Sequence, residues 1–285
     1  MEKICDLHTH SNYSDGTLTP EELVSLAEKT GLNAIALTDH NTITGLPKFL
    51  NALKNTDIET IPGIEFSTHY KGKEYHIVAL YIKEEHYDKI SNLVKEFDDL
   101  KEESNIDLVN KLNNVGMKID YEDLKKQTPN GRLNRANIAA ELTKKGYVSS
   151  ISEAFKTVLS KSYGLYVEPK RLDTIKTIEF IKEIGATAIL AHPLFRHTEE
   201  DLEELLPSAK IAGLDAMEVY YSTYTEEETN LAKKIANKYN LLYSGGSDFH
   251  GTNKPDINLA IGKGNLNIPY NILENLKSKT KKDTV

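Results

Sequence analysis

Histidines and carboxylates follow short apolar runs at several places in the chain, and their types and spacing favour the binding of divalent metal ions. His8 and His10 end the first apolar run two residues apart, so on an extended strand both imidazoles point to the same face. Asp248 and His250 repeat this spacing near the other end of the chain. Borderline divalent ions bind imidazole and carboxylate groups, and a carboxylate can bridge two ions. The pattern therefore predicts a site that holds more than one metal ion.

The elements that would position these side chains are short strands that alternate with amphipathic helices. Strands are predicted at 4–7, 34–37, 58–61, 76–80, 186–190, 216–219 and 241–243, and helices near 20–30, 44–53, 174–184, 199–206, 225–239 and 270–279. Strands separated by helices form a largely parallel sheet, and this many units favour a closed or nearly closed barrel. Parallel barrels build their sites at the carboxyl ends of the strands, so we expect the histidines to meet at one rim.

The middle of the chain has a different pattern, which predicts a small helical insertion. A long, highly charged helix is predicted from about 86 to 115, followed by three shorter helices and no strand between about 100 and 165. The predicted organisation is therefore a barrel domain of residues 1–100 and 165–285, with a helical insertion domain at 101–164.

Composition excludes several classes of protein. The 285 residues carry a formal charge of −8, which disfavours an extensive nucleic-acid surface but allows a pocket that binds one phosphorylated molecule. The single cysteine, Cys5, excludes an internal disulfide framework and fits a reducing compartment. We expect no signal peptide and no membrane span, because the first residues lack an apolar core and no apolar run approaches about 18 residues. A cytoplasmic location is expected, and the oligomeric state is left open.

Five stretches together resemble a known family signature. They are 6–16 (D-L-H-T-H-S-N-Y-S-D-G), 38–40 (T-D-H), 62–65 (P-G-I-E), 191–193 (A-H-P) and 246–251 (G-S-D-F-H-G). They resemble the four-motif signature of the PHP (polymerase and histidinol phosphatase) family of metal-dependent phosphoesterases. The resemblance implies an α/β fold, a distorted (β/α)7 barrel, with up to three divalent ions that could be Mn, Zn or Fe.

The resemblance also implies which residues bind each ion. The first ion would take His8, His10, Glu65 and Asp248; the second Glu65, His76 and His192; the third Asp15, His40 and His250. Glu65 would bridge the first two ions. Asp248, His250, Glu65 and His192 are expected to be the catalytic members of this set.

Within the family, the chain most resembles the branch of 3′,5′-nucleoside bisphosphate phosphatases, whose members also trim RNA 5′ ends. Arg135 begins a segment that resembles the insertion signature of that branch. The chain departs from the branch pattern at Ala136, Asn137, Ala140 and Tyr224. These departures leave the predicted metal site untouched, and they leave the exact substrate open.

The expected reaction is hydrolysis of a phosphate monoester on a small nucleotide, the best candidate being the 3′-phosphate of a nucleoside 3′,5′-bisphosphate. Paired divalent ions lower the pKa of water and neutralise charge on the phosphoryl oxygens. Arg135 is expected to bind a second phosphate, with Lys170, Arg171 and His197 as further substrate-binding candidates. The acid that protonates the leaving alcohol stays open, with His197 and Asp248 among the options. Trimming of short RNA 5′ ends is a possible additional activity, and histidinol phosphatase or another small-molecule phosphomonoesterase activity is the alternative.

Overall fold

The computed structural model describes residues 3–52, 57–127 and 133–282, and they form two compact units. The chain divides after Ser91 and after Arg171. We call the first unit, residues 3–91 and 172–282, the barrel unit, and the second, residues 92–171, the helical unit. The domain boundaries given above from the sequence stay predictions.

The strands of the described residues form one sheet. They are β1 (Cys5–Asp6), β2 (Ala34–Leu37), β3 (Glu59–Tyr70), β4 (Lys73–Leu80), β5 (Leu172–Asp173), β6 (Thr187–Leu190), β7 (Ala216–Tyr221) and β8 (Leu242–Gly246). Their order is β1-β2-β3-β4-β6-β7-β8, and β5 pairs with β3. Leu7 donates its backbone N–H to the carbonyl of Gly245, and Thr9 bridges to Phe249, so the two ends of the path meet. The predicted α/β class with a distorted seven-stranded barrel is confirmed.

The helices of the described residues follow the strands or fill the middle of the chain. They are α1 (Pro20–Lys29), α2 (Leu46–Asn51), α3 (Tyr87–Asn114), α4 (Tyr121–Gln127), α5 (Arg135–Lys144), α6 (Ile151–Lys156), α7 (Thr174–Glu183), α8 (Glu199–Ile211), α9 (Glu226–Lys238) and α10 (Tyr270–Lys282). Helix α1 begins as the sequence predicts: the Thr19 hydroxyl accepts from the N–H of Glu22, whose carboxylate accepts from the N–H of Thr19. In the described part of the chain, no helix is both long and apolar enough to cross a bilayer.

One strand differs from its prediction. The sequence predicts that the third strand ends at residue 61, but β3 continues to Tyr70 and turns back into β4 as an antiparallel hairpin. Ile64 and Phe66 remain fully buried, so the strand keeps a core to pack against. The turn lies at Lys71 and Gly72, with φ of 47° and 82°, which is the left-handed pair that a tight hairpin requires. Glu65 therefore lies inside a strand, not after one.

The cores of the two units are separate groups of apolar side chains. Inside the barrel unit, Leu7, Ala36, Ile61, Val78 and Ile189 pack together. In the helical unit the core includes Leu108, Leu112, Ile138, Leu142 and Tyr166. Each unit thus buries apolar surface of its own, which is the main favourable term in folding.

Candidate metal centre

The predicted ligands lie at one end of the barrel unit because the strands deliver them there. His8 and His10 follow β1, and His40 follows β2. His192 follows β6, and Asp248 and His250 follow β8. Glu65 and His76 come from the hairpin: Glu65 pairs with Val78 and His76 with Ser67, so they are diagonal neighbours on one face. Three overlapping groups of ligand atoms result, each within 4.8 Å: His8, His10 and Glu65; His40, Glu65 and His76; and His10, Asp15, His40 and His250.

The carboxylate of Glu65 is the centre of this arrangement. It is fully buried, and five imidazoles surround its two oxygens. Oε1 lies 2.8 Å from His76 Nδ1 and 2.9 Å from His192 Nε2, and Oε2 lies 3.0 Å from His40 Nδ1, 3.1 Å from His8 Nε2 and 3.3 Å from His10 Nε2. A carboxylate with ligand atoms on both oxygens is suited to bridge two ions.

Asp248 and Asp15 extend the cluster on the side of His250. Asp248 Oδ1 lies 3.2 Å from His10 Nε2 and 3.4 Å from His250 Nδ1. Asp15 Oδ1 lies 3.1 Å from His250 Nε2, and Asp15 Oδ2 lies 3.9 Å from His40 Nε2. The acid is half exposed, so this part of the cluster opens to solvent and a ligand can reach it.

The close packing of acids and imidazoles shifts their titration. Burial alone would raise the pKa of Glu65, but electrostatic interactions with the imidazoles of His40, His8 and His76 hold it well below its usual range. Burial would lower the pKa of His10, yet hydrogen bonds to Asp248 and Glu65 raise it to about 9. Burial would also lower the pKa of His76, but the charges of Glu65 and Glu74 and the hydrogen bonds to them together raise it to about 9. The carboxylates are thus anionic at neutral pH and draw cations into the centre.

The donor set fits divalent metal ions. His8 Nε2 and His10 Nε2 lie 3.1 Å from each other, and each lies 3.1–3.8 Å from both Glu65 Oε2 and Asp248 Oδ1. A tetrahedral ion with ligand bonds of about 2.0–2.2 Å separates its ligand atoms by roughly 3.3–3.6 Å. Glu65 Oε2 is buried and makes no hydrogen bond of acceptable geometry among the described residues. A buried carboxylate oxygen in that state is expensive unless a cation faces it.

Glu218 positions two of the predicted ligands. It was not among the residues predicted for the site from the sequence. It is 1% exposed. His8 donates Nδ1–H to Oε1 at 2.9 Å, and the backbone N–H of His192 donates to Oε2 at 2.6 Å. The first bond fixes the tautomer of His8, so its Nε2 faces Glu65. The second holds His192 at a φ of 30°, a left-handed conformation that a non-glycine residue adopts only where its surroundings enforce it.

Two further contacts orient the acids. Asp248 Oδ2 accepts hydrogen bonds from the Tyr221 hydroxyl at 2.8 Å and from Lys254 Nζ at 2.6 Å, which leaves Oδ1 to face the histidines. Asp39 is buried and accepts from the N–H and hydroxyl of Ser11, at 2.7 and 2.6 Å, and from the hydroxyl of Ser14 at 2.6 Å. Asp39 therefore holds the loop that carries Asp15.

The predicted substrate-binding residues lie in different places. Arg135 begins α5 in the helical unit, where its guanidinium lies 4.1 Å from the centroid of the Tyr166 ring. Lys170 and Arg171 end the same unit, and Lys170 Nζ lies 5.7 Å from the Phe97 ring. His197 is in the barrel unit, stacked on Tyr75 with ring centroids 4.0 Å apart. Their roles stay predictions.

Two departures from the branch pattern have structural consequences. The side chain of Asn137 accepts from the backbone N–H of Asn134 at 2.8 Å and completes the N-terminal cap of α5. The hydroxyl of Tyr224 accepts from the N–H of Leu194 at 2.7 Å and so fixes the turn that follows His192. Ala136 and Ala140 are exposed on α5, and nothing in the structure explains them.

Comparison with known proteins places this chain in a family. The model of the PHP domain matches residues 6–170. A 5′-3′ exoribonuclease of Haemophilus influenzae is 36% identical over 88% of this chain and 91% of its own length. A 3′,5′-nucleoside bisphosphate phosphatase of Chromobacterium violaceum is 26% identical over 86% of each chain. A Bifidobacterium adolescentis protein that is assigned to the metal-dependent phosphoesterases superposes with a TM-score of 0.75 at 25% identity, covering 97% of this chain and 96% of its own.

Fold and site together define a metal-dependent hydrolase of phosphate esters. The chain belongs to the PHP family, as the sequence resemblance implied. The predictions of an enzyme and of a metal-dependent phosphoesterase are confirmed. The identity and number of the ions and the role of each ligand stay predictions.

Proposed function

We propose that the enzyme hydrolyses the ester between the 3′ oxygen of a nucleotide and its phosphorus, in nucleoside 3′,5′-bisphosphates and at the 5′ end of short RNA. The observation that carries this proposal is the Glu65 carboxylate with five imidazoles around it, because such a centre attracts polyanions and concentrates divalent charge. Bound ions would supply charge neutralisation at the phosphoryl oxygens and an acidified water molecule.

The two substrates share one reacting bond. In a nucleoside 3′,5′-bisphosphate and in the first nucleotide of a 5′-phosphorylated RNA, the same P–O3′ bond lies next to a 5′-phosphate. Attack of water on the phosphorus bonded to the 3′ oxygen breaks P–O3′, and the 3′ oxygen takes up a proton. Both reactions release a nucleoside 5′-phosphate, together with inorganic phosphate or with a shortened RNA that carries a new 5′-phosphate. This common chemistry agrees with the names of the two relatives, an exoribonuclease and a bisphosphate phosphatase.

The chain's own residues have distinct tasks in this proposal. Glu65, His192, Asp248 and His250 hold the reacting centre, together with His8, His10, Asp15, His40 and His76. Arg135 binds the other phosphate: its guanidinium stacks on Tyr166, an arrangement that leaves N–H edges for an anion. Lys170, Arg171 and His197 are weaker candidates for the same task. Manganese, zinc and iron all suit these ligands.

A substrate panel tests the proposal. With Mn²⁺, we expect phosphate release from adenosine 3′,5′-bisphosphate and release of 5′-mononucleotides from a short 5′-phosphorylated RNA, with little activity on 5′-AMP. Arg135→Ala should impair hydrolysis of the bisphosphate and leave p-nitrophenyl phosphate, which has no second phosphate, unaffected. Arg135→Lys, which keeps the charge but loses the bidentate geometry, should be intermediate. Preference for histidinol phosphate over both nucleotide substrates would overturn the proposal.

A further inference from the structure

An exposed aromatic ring lies at the edge of the metal centre. The Phe195 side chain is 49% exposed. Among the described residues of the barrel unit, it is the one phenylalanine or tyrosine that is largely exposed, since the others are buried or half-buried. Its position beside the metal centre makes this exposed ring a surface on which a flat part of a bound molecule can stack.

The ring packs directly against one predicted metal ligand, His192, and is linked to a second, Asp248, through Tyr221. Its centroid lies 6.1 Å from the ring of His192 at an angle of 77°, and 5.8 Å from the ring of Tyr221. Tyr221 in turn donates its hydroxyl to Asp248. A molecule that has its phosphate at the metal centre would therefore bring its neighbouring atoms to Phe195.

Hydrogen bonds hold the backbone that carries this ring. The N–H of Phe195 donates to the carbonyl of His192 at 3.0 Å, and the N–H of Leu194 donates to the hydroxyl of the buried Tyr224 at 2.7 Å. A platform fixed before binding loses little conformational entropy when a ligand stacks on it. The guanidinium carbon of Arg196 lies 5.6 Å from the ring centroid and adds a cation beside it.

We infer that Phe195 is the stacking platform for the nucleobase of the substrate, an inference that rests on the proposed function. The ring is apolar and cannot bind a phosphate, whereas a nucleobase is the flat, apolar-faced part of a nucleotide. Every base has a π-face, so such a platform accepts any base sequence, as an enzyme that trims RNA ends requires. Aromatic rings and arginine planes are the usual stacking surfaces for unpaired bases.

The absence of tryptophan from this chain provides a direct test. In Phe195→Trp the new indole is the one tryptophan, and a base stacked on it quenches its fluorescence. With Zn²⁺ present, we expect saturable quenching by 5′-AMP and none by ribose 5-phosphate, which has the phosphate without the base. Ile261→Trp, at a residue that is 47% exposed in the same unit, is the matched control and should respond to neither.

Kinetics give a second measurement. Phe195→Ala should raise KM for adenosine 3′,5′-bisphosphate by about 5- to 150-fold, the usual value of one stacked base. It should leave KM for 1-O-methylribose 3,5-bisphosphate, which has no base, unchanged. Equal losses on both substrates, or equal quenching by AMP and ribose 5-phosphate, would overturn the inference. If the enzyme hydrolyses the bisphosphate but shows no base-dependent quenching, the role of Phe195 is refuted and the proposed function stands. If quenching depends on the base but no nucleotide is hydrolysed, the proposed function is refuted and base stacking on Phe195 stands.

Discussion

Glu218→Gln tests how far the metal centre depends on a residue that touches no substrate. The carboxylate offers two acceptor oxygens to two donors, His8 Nδ1–H at 2.9 Å and the N–H of His192 at 2.6 Å. A glutamine has nearly the same volume but one acceptor oxygen, so its NH₂ group must face one of these donors. One buried N–H group then loses its partner.

The size of the effect follows from this loss. A buried donor without a partner costs ~1–3 kcal/mol. Either His8 loses the contact that fixes its tautomer, or His192 loses the contact that holds its φ of 30°, so the cost falls on the metal-loaded state. Removal of such an outer partner typically weakens metal binding by about 10- to 100-fold. We expect a weakening in that range.

The assay is competition for Mn²⁺ against a fluorescent chelator, with urea unfolding of the metal-free protein in parallel. Glu274→Gln, at an exposed residue of α10, is the matched control and should bind Mn²⁺ as the parent does. If folded Glu218→Gln binds Mn²⁺ within twofold of the parent, the positioning role is refuted.

Two further predictions concern pH and packing. The pKa values of His10 and His76 are raised from 6.5 to about 9 in the metal-free protein, so their contribution to its stability is complete below pH 6.5 and is lost as the pH rises to about 9. Urea unfolding of the metal-free protein should show that loss of stability. Mn²⁺ affinity should rise over the same pH interval, because the ion must displace these protons to bind. A Mn²⁺ affinity that does not change from pH 6.5 to 9 would contradict the reasoning. Gly246→Ala would place a Cβ atom 2.1 Å from the Cβ of His8, so we expect a lower free energy of unfolding by ~1–3 kcal/mol and weaker metal binding. Gly45→Ala, whose new Cβ would lie no closer than 3.1 Å to side-chain atoms, should lose less; equal losses would contradict the packing argument.

One simple rule accounts for how the sequence gathers most of its predicted ligands. Residues at the carboxyl ends of parallel strands meet at one rim, which is enough to bring together His8 and His10 after β1 and Asp248 and His250 after β8. The expectation that two residues on one extended strand share a face does not apply to Asp248 and His250, because they lie beyond β8 and Asp248 has a φ of 55°. The rim rule fails for the β3–β4 hairpin, where the chain reverses direction. Gly72 was the one turn signal there, because Lys71 is not among the residues that favour the left-handed conformation it adopts.

The residues that support the centre are harder to predict. Glu218 has a signal, since a carboxylate inside the apolar run of β7 must find a buried partner, but nothing in the run says which partner. Lys254 follows a motif in a polar loop, where a lysine is ordinarily a solvated side chain. Phe195 lies in a turn that is held by a hydrogen bond between Leu194 and Tyr224, thirty residues further along the chain. Such contacts arise only when distant parts of the chain are packed together.

The metal content of the purified protein tests the central claim most directly. Elemental analysis of the parent should find more than one firmly held divalent transition-metal ion per chain, and Glu65→Ala, which removes the carboxylate among five imidazoles, should hold fewer. Glu274→Gln should match the parent. A parent protein without firmly held metal, or a Glu65→Ala variant with undiminished metal content, would contradict the account.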